Sequence, residues 1–128
     1  MKIIILLLFA FLLSACDGSP SKRSENPFHL PPQGFVGDSV KGELLFQQNC
    51  QICHGKKGRG TNQGPPLVDN IYNSSHHANL AFNLAVKNGV RSHHWRFGDM
   101  KPIPDVSPIM IGHITQYVRK LQRQAGIR

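Results

Sequence analysis

The chain has 128 residues, 40% of them apolar, with fifteen Lys and Arg against seven Asp and Glu for a formal charge of +8. That length leaves room for one small domain, whose modest core calls for a staple, a metal or a cofactor. The basic balance favours an acidic partner and says nothing about the fold.

The N-terminus, MKIIILLLFAFLLSACDG, has Lys2 as a short positive region, an unbroken apolar run over residues 3–13, and the small residues Ser14 and Ala15. This is the shape of a secretory signal. The run is about eleven residues, well short of the roughly 20 that a spanning helix requires. Secretion argues against nucleic acid as the acidic partner. The end of the run, LSAC, resembles the bacterial lipobox. That resemblance implies cleavage between Ala15 and Cys16 and a diacylglyceryl group on Cys16. Several acyl chains on one residue anchor stably, whereas a single chain does not. The alternative is an ordinary signal with Cys16 left as a free thiol. Asp17 follows, and in enteric-type lipoproteins an Asp there favours the inner membrane.

Residues 17–37, DGSPSKRSENPFHLPPQGFVG, are rich in Ser, Pro, Gly and charge and have no apolar period. A tether is expected, with an r.m.s. span of roughly 25 Å, while Phe28, Leu30 and Phe35 offer groups that can dock on the domain. The expected organisation is a signal over 1–15, a lipid-anchored flexible linker over 16–37 and a folded domain over 38–128. It places the domain on the periplasmic side of a bacterial membrane.

Within the domain the pattern is helical. Asp38 or Ser39 caps a first helix, in which Val40, Leu44, Leu45 and Phe46 give an apolar face. Gly42 inside it costs about 1 kcal/mol against Ala, which suggests a closely packed neighbour. Residues 55–67, GKKGRGTNQGPPL, hold four glycines and two prolines and read as a loop. A second helix is expected from Ser75 as cap to Gly89, with Leu80/Leu84 and Phe82/Val86 as i,i+4 pairs. A third has Ser107 as cap, Pro108 in the first position, Gly126 as stop, and the stripe Met110, Ile114, Tyr117, Leu121. No alternating run reads as a strand. Three helices with long loops imply an all-α fold whose centre something else must fill.

The stretch CQICH, residues 50–54, is the strongest local signal. Cys50 and Cys53 are three apart, so at a helix end they share a face, and His54 projects beside them. Two thiols on one side can each add to a haem vinyl group while the adjacent imidazole reaches the iron. On this basis C-x-x-C-H is read as c-type haem attachment. A zinc site needs about four ligands, and no Cys lies downstream. A thioredoxin-like pair needs a βαβ setting, and a disulfide across three residues stabilises little.

From here the chain resembles the small single-haem cytochromes c of the His/Met class I type. The segment GELLFQQNCQICHGKKGRGTNQGPPL carries the likeness. In that family a glycine eight residues before the first cysteine and an aromatic four before it pack on the last helix. Gly42 and Phe46 hold those positions, and Ile114 and Tyr117 match their partners. The family's G-P-x-L segment corresponds to Gly64, Pro65, Pro66 and Leu67, which implies that the Pro65 carbonyl accepts the other N–H of His54. The resemblance implies a haem c attached at Cys50 and Cys53 with His54 as one axial ligand. It also implies Met100 as the other, in the proline-containing loop FGDMKPIPDVSP. Pro102 and Pro104 would stiffen that loop.

Rival ligands are His93 and His94, whose plainer reading is loop surface. Met110 reads as core, His76 and His77 as exposed residues at a helix start, and Trp95 as packed near the haem edge. Tyr72 is a candidate donor to a haem propionate. With both axial positions filled, the domain moves single electrons and is not an enzyme. Removing the signal leaves fourteen positive residues against seven negative, +7. Lys56, Lys57, Arg59 and Lys101 would steer docking onto redox proteins with acidic surfaces. The rival functions are a haem-based ligand sensor or small redox enzyme with an open or bis-His iron, and a haem-free module whose cysteines hold metal. No hydrolase triad or nucleic-acid motif is present, and GKKGRG lacks the ending of a phosphate loop.

Overall fold

The computed structural model describes residues 26–128; the expected signal, Cys16 and Asp17 lie outside the described residues. Four α-helices follow in order: α1 Ser39–Asn49, α2 Gln51–His54, α3 Asn79–Asn88 and α4 Pro108–Gln124. Short 3-10 turns occupy Lys56–Gly58 and Asn70–Tyr72. Among the described residues there is no strand; Val90 and Met100 form an isolated antiparallel bridge. No described helix is long and apolar enough to cross a membrane.

Local chemistry sets most helix ends. The Asp38 carboxylate accepts from the N–H groups of Val40 (2.8 Å) and Lys41 (3.3 Å), satisfying orphan donors of α1. The same two bonds hold its carboxyl below the ordinary value of 3.8. Ser107 caps α4 through Met110 N–H at 3.3 Å, with Pro108 in the first turn. Gly89, at φ 75°, ends α3 in a conformation that favours glycine.

The start of α3 corrects the expected cap at Ser75. The Asn73 carboxamide oxygen takes the N–H of Ser75 (3.0 Å), the N–H of His76 (2.9 Å) and the Ser75 hydroxyl (2.7 Å). These bonds close a turn, so the helix begins only at Asn79, behind Ala78, which offers no side-chain cap.

The core forms where α1 crosses α4. A Cβ on Gly42 would run into the His113 carbonyl and lie 2.9 Å from Tyr117 Cβ, so only glycine lets the two backbones approach. One turn on, Phe46 is fully buried, with its ring 5.5 Å from that of Tyr117. Ile111, Ile114, Val118, Val86 and Val106 complete the buried cluster, with Met110 and Leu121 packed at its margin. The expected apolar face of α1 needs correction: Val40 is 66% exposed and Leu44 59%. The buried line runs through Gly42, Phe46 and Cys50 at four-residue spacing. Residues two positions off that line are turned by roughly 200° to solvent.

The flexible linker expected over 16–37 also needs correction at its C-terminal end, because residues 26–37 lie on the domain as a strap. Lys87 Nζ donates to the carbonyls of Asn26 (2.9 Å) and Pro27 (3.2 Å), and Asn83 Nδ2 donates to His29 O at 2.7 Å. His29 Nε2 donates to Val106 O at 2.7 Å. The Phe35 ring meets His113 edge-on at 5.0 Å, and a Cβ on Gly112 would strike that Phe35 ring. Asp38 N–H donates to His113 Nδ1 at 2.8 Å. Phe35 therefore docks as foreseen, whereas Phe28 is 51% and Leu30 43% exposed.

Candidate cofactor site

The thin core leaves a cavity of about 510 Å³ between α2, α3, α4 and the loops 63–77 and 90–103. That lies within the roughly 300–1,000 Å³ typical of sites enclosing a cofactor-sized molecule. Cys50, Cys53, His54, Pro65, Tyr72, Trp95 and Met100 all line it. Residues spread over half the chain are thus brought to one chamber.

The α2 turn presents the first group. Cys50 N–H bonds Phe46 O at 2.9 Å, and His54 N–H bonds Cys50 O at 2.9 Å, so the motif continues the α1 helix through a small kink. Both cysteines are free thiols. Burial, and secondarily the neighbouring Cys53, pushes the Cys50 thiol up to about 12. Thr61 Oγ1 donates to Cys53 O at 2.6 Å, and a Cβ on Gly64 would lie 2.9 Å from that same carbonyl. The glycine-rich loop is thereby pressed against the motif.

His54 Nδ1 donates to Pro65 O at 2.9 Å, the bond expected for it. This fixes the tautomer and leaves Nε2 with its lone pair free. Burial holds the imidazole below its ordinary value of 6.5, against the opposing effect of the Pro65 bond. The ring is therefore neutral near pH 7, the form that binds a metal.

Met100 comes from another wall. Its backbone is clamped to the end of α3 by Val90 N–H to Met100 O and Met100 N–H to Val90 O, both 2.9 Å. Ile103 N–H to Val86 O, 2.8 Å, fixes the loop three residues on. A Cβ on Gly89 would collide with the Met100 carbonyl and sit 3.0 Å from Pro102 Cδ. Met100 itself is half-buried.

One polar feature tests the fit of a porphyrin. Trp95 Nε1 is buried and has no hydrogen-bond partner among the described residues. Burial pushes the neighbouring Tyr72 phenol up, and a hydrogen-bonding approach by the Trp95 indole opposes it, but that approach falls short of a well-formed bond. A buried N–H without an acceptor costs about 1–3 kcal/mol. A porphyrin carboxylate is an acceptor suited to that donor. The apolar walls, the paired thiols and the free imidazole nitrogen fit the rest of the group.

Sequence reasoning missed Arg119 and Gln122, both buried. Arg119 donates to Asn79 Oδ1 (3.0 Å), Tyr72 O (2.6 Å), Gln122 Oε1 (2.7 Å) and His77 O, and lies 4.9 Å over the Phe82 ring. Gln122 Nε2 donates to Leu67 O (2.7 Å) and Tyr72 O (3.0 Å). Together they tie loop 67–77, one wall of the cavity, to α4. Counting by fours from the buried Thr115 and Val118 would have placed both residues on the inward face. His93 and His94 are exposed, and His94 lies close to His76 and His77.

The family model described as Cytochrome c matches residues 39–122, and the chain belongs to that family. Haem c, held covalently, is the cofactor of the family and of this chain. No curated protein and no solved structure matches the chain.

Proposed function

We propose that the protein is a single-electron carrier whose haem is attached through Cys50 and Cys53 and ligated by His54 and Met100. When bound, the haem supplies one-electron exchange between ferric and ferrous iron. The chain's own residues do the positioning. Pro65 orients His54, the Val90 bridge and the Gly89 contact hold the Met100 loop, and the aliphatic wall keeps water away.

The observation that carries this reading is the pairing of a tautomer-fixed imidazole with a backbone-clamped methionine on the lining of one cavity. Held by both His54 and Met100, the iron would offer no position to a substrate, which favours a carrier over an enzyme. A thioether ligand and a buried haem both favour a positive potential. The oxidised, matured protein will show a near-infrared thioether-to-iron band that disappears in Met100→Ala. Ready binding of carbon monoxide by the native protein would instead establish the open-iron alternative.

The partners are redox proteins with acidic docking surfaces. Lys56, Lys57, Arg59 and Lys101 are all exposed. Lys56 and Lys57 follow the haem-binding turn, and Lys101 follows the methionine. The bimolecular electron-transfer rate will fall as salt is raised; a rate flat in ionic strength removes the steering role. The lipid on Cys16 and the periplasmic membrane surface complete the proposal. They rest on the sequence alone, and mass spectrometry of the mature N-terminus tests them.

A further inference from the structure

Four histidines outside the iron-binding pair gather at the rim of the cavity. His76 and His77 come from the turn before α3; His93 and His94 come from the loop that leads to Met100. One ring nitrogen from each of His76, His77 and His94 lies within 4.8 Å of the others. The His76 and His94 ring centres are 5.4 Å apart, those of His77 and His94 5.3 Å, and those of His93 and His94 4.2 Å. We propose that His76, His77 and His94 form a second metal site, distinct from the haem iron, for a borderline transition-metal dication such as Zn²⁺ or Cu²⁺.

The donor set selects the ion. Imidazoles without carboxylate or thiolate suit zinc, copper and nickel and do not suit calcium or magnesium. Metal–nitrogen bonds of about 2.0–2.1 Å place tetrahedral donors about 3.3 Å apart, so modest side-chain rotation closes the cluster. Three protein ligands leave a fourth position for water or an anion.

The supporting shell is already in place. His77 Nδ1 donates to Ile71 O at 2.7 Å, which fixes the tautomer and frees Nε2. The turn carrying His76 and His77 is held by Asn73, through His76 N–H at 2.9 Å to its side chain and His77 N–H at 2.8 Å to its carbonyl. Arg119 grips the His77 carbonyl from behind. On the other loop Ser92 N–H bonds Asp99 Oδ1 at 2.9 Å, and His93 Nδ1 donates to Arg91 O at 2.8 Å. Desolvation, then the charges of His93, His77 and His76, hold the His94 imidazole below 6.5, in the neutral form a metal takes. A bound ion would tie the turn at 76–77 to the loop bearing Met100.

This site goes beyond the electron-carrier reading and requires only that His94 stays off the iron, which the haem spectrum reports independently. The test uses the full matured chain with haem attached. Calorimetric titration with Zn²⁺ will show one ion per chain at micromolar affinity or tighter, with a rise in thermal midpoint. Cu²⁺ will give an electron paramagnetic resonance spectrum with nitrogen hyperfine coupling. His76→Ala, an exposed residue off the cavity wall, will weaken binding at least tenfold with the haem spectrum unchanged, and His76→Ala/His94→Ala will abolish it. Absence of stoichiometric binding, or equal affinity in wild type and double variant, overturns the proposal. So does a changed near-infrared haem band in the double variant, which assigns the loop histidine to the haem instead.

Discussion

Single residues hold this site through bonds that a sequence reveals unevenly. Pro65 stands eleven positions beyond His54, across the glycine-rich loop that follows α2, and their hydrogen bond was implied by the family resemblance. Arg119 is the opposite case. Its donors reach four acceptors between residues 72 and 122, and nothing near it in the chain announces that role. Arg119→Leu leaves the His77 carbonyl without that donor, while Tyr72 O keeps Gln122 Nε2. The matured protein is expected to lose about 1–3 kcal/mol in denaturant unfolding, the cost of one unsatisfied group. Arg119→Lys keeps the charge without the planar fork and should fall between the two. A loss below about 0.5 kcal/mol would show that the loop does not depend on this residue.

Helices in this chain are placed by their ends and by close backbone contacts more than by apolar stripes. The caps of α1 and α4 were legible because Asp38, Ser107 and Pro108 act within one turn of their own position. The start of α3 was not, because Asn73 engages the Ser75 hydroxyl with its side chain and the His77 N–H with its carbonyl, from outside the helix. The strap over 26–37 was foreseen only through Phe35: its polar partners, Lys87, Val106 and His113, lie roughly 60 to 80 residues further along the chain. Gly42 joins the two kinds of information, since a glycine inside a helix pointed to a close neighbour and α4 is that neighbour. Gly42→Ala sets two effects against each other. Helix propensity favours Ala by about 1 kcal/mol, while overpacking of the α1–α4 crossing costs about 1–3 kcal/mol. The crossing is expected to win, lowering the thermal midpoint. A stabilised variant would mean the two backbones are not in contact there.

At the scale of the whole molecule, α2, α3, α4 and the loops over 63–77 and 90–103 enclose a chamber that their own side chains do not fill. Its lining includes the two motif thiols, the His54 imidazole, the Met100 thioether and an indole N–H with no well-formed hydrogen bond among the described residues. The fold class and the cysteine–histidine turn were readable because the haem motif and the helix-crossing glycine are spaced by helix geometry, whereas Met100 was implied only by the family resemblance. The histidine cluster was not, because two loops bring it together and neither has a period to read. The central claim is that His54 and Met100 grip one covalently attached iron and set its potential. Equilibrium redox titration of the wild type beside Met100→Ala tests it most directly. The account predicts a covalently haem-bearing variant whose potential drops by more than about 59 mV, a tenfold shift in a one-electron equilibrium. A variant that titrates at the wild-type potential would contradict it.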